Sequence, residues 1–306
     1  MTIRIEHATA PSELARVFVG RLADGARVEF VESVQPPKTR AQKWVLIVST
    51  LKGCPVGCPI CDAGGDYGGK LTADEILEQV RLLVASRFPD GRVRSRRVKV
   101  QLARMGDPAL NDAVIDALGA LPEAADLPGL MPCVSTVAPA GRDRWFDALE
   151  RVKKARYPAG RFQMQFSVHS TCPEARRRLV PIRTWSLEEM AGWGARFFAP
   201  GDRRVTLNFA PAVGLPLEPE AVAQRFDPER FAIKLTPINP TAAAAASGLA
   251  GLVDPDDPER SARLVRRFEA LGFQTILSIG ALEENDIGSN CGMYVEKLRA
   301  TERRAG

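Results

Sequence analysis

Several features are scarce or absent in this sequence of 306 residues. No apolar run approaches the roughly 20 residues that a membrane-spanning helix needs, and no signal peptide precedes the first predicted strand. Cysteine is scarce: three of the six cysteines lie on one loop, which indicates a reducing compartment rather than a disulfide framework. We therefore expect a cytoplasmic protein with no membrane partner.

The overall composition is that of an ordinary globular protein, with 45% apolar and 26% charged residues. A chain of this length can bury a sizeable core. The net charge of +5 suits RNA or an anionic substrate, although a solvated arginine-rich surface explains it equally well.

Cys54, Cys58 and Cys61 have the spacing Cys-x3-Cys-x2-Cys and directly follow residues 44–48, an apolar run that predicts a buried strand. Three thiolates on one loop can converge on a soft metal centre. A structural zinc site needs four ligands, and no fourth cysteine or histidine lies nearby in the sequence. A 4Fe-4S cluster held by three cysteines leaves one iron open, as in enzymes that cleave S-adenosylmethionine (SAM) by radical chemistry. Zinc and buried structural thiols are the alternatives.

From residue 44 onward, predicted strands alternate with predicted helices. The strands are 44–50, 97–103, 131–136, 161–168, 204–210, 231–237 and 273–279. A capping box of Thr72 and Glu75 begins the first helix, and further helices are expected at 111–121, 143–155, 186–198 and 257–271. This α/β pattern predicts a parallel sheet, closed into a partial (β/α)6 barrel, with its chemistry at the carboxyl ends of the strands.

The pattern predicts two parts, 1–43 and 44–306. Residues 17–22 and 27–31 form two β-like runs around Asp24-Gly25, so the first part is expected to be a short N-terminal β extension. The second part is the barrel with a C-terminal tail. Within it, residues 241–250 form an alanine-rich stretch that is either a mobile lid or a surface excursion.

Polar residues follow the predicted strands and are candidate ligands for a cofactor. Glycine permits close approach of the backbone, and a carboxylate can accept a hydrogen bond from an ammonium group. Each of these residues also has an ordinary role in turns or at strand ends. The candidates are Gly106, Asp107, Ser135, Ser167, Val168, His169 and Asn239.

Cys291 lies beside Gly292 in a polar stretch near the C-terminus, where an exposed thiolate could act as a nucleophile. Cys133 and Cys172 carry no such signal, although Cys172 shares the loop of His169.

Taken together, these residues resemble the radical-SAM adenine methyltransferases of the RlmN/Cfr type, which methylate ribosomal RNA. The resemblance runs from about residue 17 to 295. Its most specific parts are Val48-Ser49-Thr50, Gly53-Cys54, Leu71 to Ile76, Gly106-Asp107-Pro108, Ser167-Val168-His169, Leu179 to Ile182, Asn239-Pro240, Asp286-Ile287 and Cys291-Gly292.

The resemblance implies that Cys54, Cys58 and Cys61 hold a 4Fe-4S cluster and that the strand-end candidates bind SAM. It implies that Cys291 is methylated by one SAM. A radical from a second SAM then removes hydrogen from that methyl group, and the carbon radical adds to an sp2 carbon of adenine. An electron donor such as flavodoxin or ferredoxin is implied as a partner.

Three departures from the family pattern affect these expectations. The second catalytic cysteine of the family falls on Ile47. The catalytic acidic residue of the family matches Glu29 by turn spacing, or Glu32 by the following proline. The helical RNA-binding domain of the family has no counterpart before residue 17.

We therefore expect an enzyme, a radical-SAM methyltransferase with Cys291 and Glu29 as catalytic residues. Its acceptor is expected to be a small nucleoside-like or heteroaromatic molecule. The alternatives are an RNA adenine methyltransferase that docks through Arg299, Arg303 and Arg304, and a non-catalytic metal-binding protein.

Overall fold

The computed structural model describes residues 2–280, 283, 287, 288 and 293–305. Cys291 lies outside the described residues. The strands are β1 (Ile3–Ala8), β2 (Ala15–Leu22), β3 (Arg27–Val34), β4 (Trp44–Val48), β5 (Leu51–Cys54), β6 (Gly65–Lys70), β7 (Val98–Leu102), β8 (Met131–Thr136), β9 (Gln163–Ser167), β10 (Val205–Phe209), β11 (Phe231–Leu235) and β12 (Gln274–Leu277).

The helices lie mainly between the later strands. They are α1 (Ala73–Arg87), α2 (Ala113–Ala124), α3 (Asp143–Arg156), α4 (Pro173–Leu179), α5 (Leu187–Phe197), α6 (Pro219–Ala223), α7 (Ala242–Ser247), α8 (Pro258–Ala270) and α9 (Met293–Ala305), with a short 3-10 helix at Pro108–Leu110. The capping box of Thr72 and Glu75 begins α1 as expected. No described helix is long and apolar enough to cross a membrane.

Within the described residues, one mixed sheet contains the strands in the order β1-β2-β3-β4-β7-β8-β9-β10-β11-β12. Every neighbouring pair from β4 to β12 in this order is parallel. The predicted α/β class with a largely parallel sheet is therefore confirmed. The carboxyl ends of these strands share one edge, which brings residues distant in sequence together.

Alternate residues of each strand face opposite sides of the sheet. On β7, Val100 and Leu102 pack against α1 and α2 in the main hydrophobic core. Gln101, between them, lines a cavity on the other side. One face therefore supplies the core and the other supplies polar groups for a site.

The N-terminal strands continue the same sheet. β1, β2 and β3 pair antiparallel with one another, and β3 pairs antiparallel with β4, placing Val31 opposite Ile47. The sequence predicted β2 and β3 but missed β1.

The C-terminal helix α9 docks on these N-terminal strands. Tyr294 stacks on His7 with 4.9 Å between the ring centroids, and its hydroxyl lies 2.6 Å from Nε2 of that histidine. Toward the other end of α9, Arg27 donates to Glu302 at 2.8 Å. The first strands and the last helix thus form one wall of the molecule.

The alanine-rich segment forms α7, whose start is bonded to the cysteine loop. Asp62 accepts hydrogen bonds from the backbone N–H groups of Ala242 (3.2 Å) and Ala243 (2.9 Å). The hydroxyl of Thr241, a buried residue, donates to the carbonyl of Ile60 at 3.2 Å. These bonds connect the segment after Asn239 to the loop of Cys58 and Cys61.

Candidate functional site

The three clustered cysteines lie on a hairpin at the carboxyl edge of the sheet. β5 and β6 pair antiparallel, so Cys54 ends one strand and Cys58 and Cys61 lie in the connecting loop. The backbone N–H of Cys61 donates to the carbonyl of Cys58 at 3.1 Å, and Gly57 has a positive φ of 69° that favours glycine. The turn therefore brings three thiols onto one short loop.

Buried polar residues fix the chain just before this hairpin. Gln79 of α1 accepts from the backbone N–H of Ser49 (2.8 Å) and donates to its carbonyl (3.0 Å). The side-chain amide of Asn111 donates to the carbonyls of Thr50 (2.8 Å) and Leu71 (2.7 Å). The buried backbone groups are thereby satisfied, which explains why a polar stretch follows an apolar strand here.

A cavity of about 390 Å³ brings the cysteine loop and the strand ends together. Residues from the ends of β7, β8, β9 and β11 and from the cysteine loop line it. The predicted site residues on its wall are Cys54, Cys58, Cys61, Gly106, Asp107, Ser135, Ser167, His169 and Asn239.

The three cysteines suit a 4Fe-4S cluster better than a single ion. All three are half-buried, and no disulfide joins any of the five described cysteines. Among the described residues, no three Cys, His, Asp or Glu side chains converge closely enough to hold one metal ion. In a 4Fe-4S cluster each thiolate binds a different iron, so such convergence is not required. Burial raises the pKa of the Cys54 thiol, so metal binding must also supply the free energy of its deprotonation.

Apolar side chains surround the cysteine loop on one side. Val56 and Val137 belong to a buried cluster against which Cys54 and Cys58 pack. Leu179 and Val180, part of the family resemblance, belong to the same cluster. This shell limits access of water to the thiols.

Gly106 and Asp107 follow β7 in a tight turn. A Cβ atom at Gly106, where φ is +90°, would lie 2.4 Å from Cβ of Leu51, so only glycine fits. The Asp107 carboxylate accepts from the Thr136 hydroxyl (2.7 Å) and from the N–H groups of Val137 (2.7 Å) and Ala109 (2.9 Å). Burial raises its pKa to about 6, although these hydrogen bonds act in the opposite direction. Asp107 therefore connects the ends of β7 and β8 in addition to lining the cavity.

Replacing Asp107 with Ala is expected to weaken SAM binding about tenfold or more and to leave the cluster in place. The reason is that a buried hydrogen-bonding carboxylate is lost from the cavity wall. Anaerobic calorimetry with the reconstituted protein measures the affinity, and visible absorbance measures the cluster. Exposed Asp126→Ala is the matched control.

Thr136→Val separates a direct role of Asp107 from a supporting one. It removes one hydrogen bond to Asp107 but keeps the carboxylate. Equal losses of SAM affinity in both variants would indicate that Asp107 only supports β8. Unchanged affinity in Asp107→Ala would contradict the assignment to the SAM pocket.

His169 has a left-handed backbone conformation, with φ of 65°, which is uncommon for residues other than glycine and is found at functional sites. Its Nδ1 accepts from the N–H of Ala210 at 3.2 Å. Burial lowers the pKa of His169 to about 4, so the ring is neutral at pH 7 and carries its proton on Nε2. The ring can therefore offer one N–H donor to a ligand in the cavity.

Other predicted residues lie away from the cavity. Val168 is fully buried in the hydrophobic core, because it alternates with Ser167 along the chain. Glu32 faces α1, where it accepts from Arg87 (2.9 Å) and Trp44 (2.8 Å). Glu29 is also fully buried, behind Arg104 on the cavity wall.

The structure adds residues to the site that the sequence did not indicate. Arg104 lines the cavity, as do polar residues in the strands themselves: Gln101, Gln165, Asn208 and Lys234. Ile47, where the resemblance places the second cysteine, also lines it. Cys172 lines a different cavity, of about 720 Å³, with α4 and α5. The alternation of side chains along each strand could have predicted that the strand residues face the cavity. No local feature of the sequence distinguished Arg104.

Known proteins resemble this chain over most of its length. The chain is 28% identical to a probable dual-specificity RNA methyltransferase RlmN of Acidothermus cellulolyticus, over 91% of this chain and 68% of that protein. It is 30% identical to one of Parafrankia sp. (75% and 60%) and 28% identical to one of Halorhodospira halophila (94% and 75%). The chain thus spans 60 to 75% of the length of these relatives. No protein-family model matches the chain.

A solved structure shares the fold. A radical SAM methyltransferase from Sphaerobacter thermophilus has a TM-score of 0.74 at 22% identity, over 95% of this chain and 81% of that one. With the RlmN relatives, this likeness confirms the predicted resemblance to RlmN-type radical-SAM methyltransferases. The expected enzyme class and its cofactors, a 4Fe-4S cluster and SAM, are confirmed at the level of that resemblance.

Proposed function

We propose that this chain transfers a carbon unit from SAM, through Cys291, to an sp2 carbon of adenine in RNA. The cavity that unites Cys54, Cys58 and Cys61 with the polar strand ends is the observation that carries the proposal. The partial (β/α)6 barrel belongs to the proposal and is supported by the run of parallel strands from β4 to β12.

The residues of the chain have distinct roles in this proposal. Cys54, Cys58 and Cys61 hold the cluster, and Gly106, Asp107, Ser135, Ser167, His169 and Asn239 bind SAM. When bound, the cluster and SAM would supply radical chemistry through one-electron cleavage of the sulfonium, with the electron coming from an external donor. The Nε2–H of neutral His169 orients a polar group of SAM, and the apolar shell around Val56 excludes water.

RNA is proposed as the acceptor because the named relatives are RNA methyltransferases. The expectation of a small acceptor finds no support in those relatives. The net charge of +5 is compatible with RNA, and Arg299, Arg303 and Arg304 near the end of α9 are candidate phosphate ligands. The electron donor is proposed to be a flavodoxin or ferredoxin.

Label from methyl-labelled SAM is expected to enter RNA and not a metabolite extract. Three phosphate contacts on single-stranded RNA predict that RNA affinity falls about 20-fold between 50 and 200 mM salt. The triple variant Arg299→Gln, Arg303→Gln, Arg304→Gln should flatten this dependence. A triple variant at exposed Arg92, Arg94 and Lys154 is the matched control. Label only in a metabolite, at a rate indifferent to salt, would refute the RNA acceptor.

One observation favours a second candidate, a small heteroaromatic acceptor. Ile47 lines the cavity where the family resemblance places a second cysteine, and an alkyl side chain can neither transfer a proton nor form a disulfide. Among the described residues, the cluster cysteines supply the only thiols on this wall. Without a second cysteine, such a site would have to release its product by a route that needs no disulfide. The labelling experiment above distinguishes the two acceptors.

A further inference from the structure

Glu29 and Arg104 form the most deeply buried ion pair among the described residues, with side chains 0% and 1% exposed. Nε of Arg104 donates to Oε2 of Glu29 at 2.7 Å, and Nη2 lies 2.6 Å from the same oxygen. Glu29 comes from β3, whereas Arg104 follows β7. The pair therefore joins the N-terminal strands to the carboxyl edge of the parallel sheet.

Each member of the pair also holds the backbone of the C-terminal segment. Nη2 of Arg104 donates to the carbonyl of Gly288 at 3.0 Å. Oε1 of Glu29 accepts from the N–H of Val295 near the start of α9. Gly288 and Val295 lie on either side of Cys291 in the sequence. One ion pair thus fixes both ends of the segment that carries the proposed methyl-carrying cysteine.

The surroundings connect this arrangement to the cluster loop. Val295 is buried with Ala63 and Met105, and Cys54 and Cys61 pack against the same group. The Ser49 hydroxyl, just before the hairpin of the cysteines, donates to the carbonyl of Glu29 at 2.5 Å and accepts from the N–H of Met105 at 3.1 Å. The anchors of the C-terminal segment therefore adjoin the residues that support the cysteine loop.

Packing alone does not explain a charged pair at this position. Apolar residues of similar volume often stabilise a core as well as a buried ion pair does, but they cannot bond two separate backbone groups. Both carboxylate oxygens of Glu29 are already engaged, one by Arg104 and one by Val295. This geometry differs from that of a catalytic base, which must reach the proton of its substrate.

We propose that Glu29 and Arg104 are positioning residues: they hold the backbone at Gly288 and at Val295, and methylation of Cys291, which lies between them in the sequence, depends on this hold. This inference rests on the proposed function, because it assigns Cys291 as the methyl carrier. It gives Glu29 a role in orientation instead of the catalytic role that the resemblance implied.

The test compares Glu29→Gln, Arg104→Gln, the double variant and the conservative Arg104→Lys with a matched control. The control is Lys153→Met in the pair Lys153–Asp202, which is also buried but lies on α3 away from the cavity. Peptide mass spectrometry with labelled SAM measures methylation of Cys291. Formation of 5′-deoxyadenosine and the visible absorbance report on SAM cleavage and on the cluster.

Methylation of Cys291 is expected to fall about 100-fold in each single variant, because misplacement by about 1 Å can cost that much. The cluster should still form in these variants, because neither residue is a cluster ligand, and the loss of methylation should exceed any loss of SAM cleavage. The double variant should be no worse than either single one, because each single variant already breaks the ion pair that supports both anchors. Arg104→Lys keeps the charge and should lose less, and it remains informative if the glutamine variants fail to fold.

Hydrogen exchange of the protein without cofactors gives a second readout. The amide of Val295 should exchange about tenfold faster in Glu29→Gln than in the wild type, and its exchange rate should be unchanged in Lys153→Met. Two results would overturn the positioning role. One is methylation of Cys291 at the wild-type level in Arg104→Gln. The other is a Glu29→Gln variant that methylates Cys291 normally but fails to convert the acceptor. A different outcome would refute the proposed function alone. In that outcome the Val295 amide exchanges faster in Glu29→Gln, but the wild-type protein never methylates Cys291; the anchoring role of Glu29 would then stand.

Discussion

Alanine in place of Cys54, Cys58 or Cys61 is expected to abolish both the brown chromophore and the cleavage of SAM. All three cysteines line one cavity on one hairpin, and each must supply a thiolate to a separate iron. Loss of any one leaves a second iron without a protein ligand, so the loss should be complete rather than graded. Iron and sulfide analysis with absorbance after anaerobic reconstitution measures the cluster, and chromatography of 5′-deoxyadenosine measures cleavage.

Two other cysteines supply matched controls for this prediction. Cys133 is buried in β8, and Cys172 lines the separate cavity beside α4. Cys133→Ala and Cys172→Ala should therefore keep the chromophore and the cleavage of SAM. One zinc per chain after anaerobic purification, with no iron, would contradict the cluster and favour the metal-binding alternative.

Replacing Cys291 with Ala is expected to abolish transfer of the carbon unit while leaving the cluster and SAM binding intact. The physical reason is that the methyl group has no other nucleophilic carrier, since the described thiols on the cavity wall are committed to the cluster. Labelled SAM followed by peptide mass spectrometry locates the methyl group, and product analysis measures transfer. An enzyme that turns over without methylation at Cys291, and whose Cys291→Ala variant still works, would refute the prediction.

Release of the product is the step for which Ile47 matters most. Ile47 packs in a small cluster with Ile287 and Tyr294, which precede and follow Cys291 in the sequence. Cys172 shares the loop of His169 but lines another cavity, so it is not placed to supply a replacement thiol and should tolerate Cys172→Ser. Ile47→Cys would restore the family arrangement and is the variant in which a disulfide-dependent release could be sought.

The strands of the parallel sheet were predictable because their signal is local. Met131–Thr136 was predicted with the observed bounds, and the other parallel strands with errors of a few residues. Each is a short apolar or alternating run followed by a helix with a recognisable start, as at Thr72. The short hairpin of β5 and β6 was missed because both strands are rich in glycine and lysine, which are depleted in strands.

The site was predictable only where residues share a strand end. Gly106, Ser135, His169 and Asn239 meet because parallel strands end at one edge. The choice of Glu29 over Glu32 rested on turn spacing alone, because the sequence does not show which face of β3 meets α1. The partner of Glu29 was equally hidden, since Arg104 lies 75 positions away.

The bond between Val295 and Glu29 spans 266 positions of sequence, and this separation has a consequence for how the protein is made. A ribosome makes the cysteine hairpin well before α9, so the growing chain exposes its thiols before that wall can form. Contacts between such distant residues also form slowly, because much chain must be ordered first. The thiols of Cys54, Cys58 and Cys61 are therefore open to solvent in the growing chain before α9 covers that side.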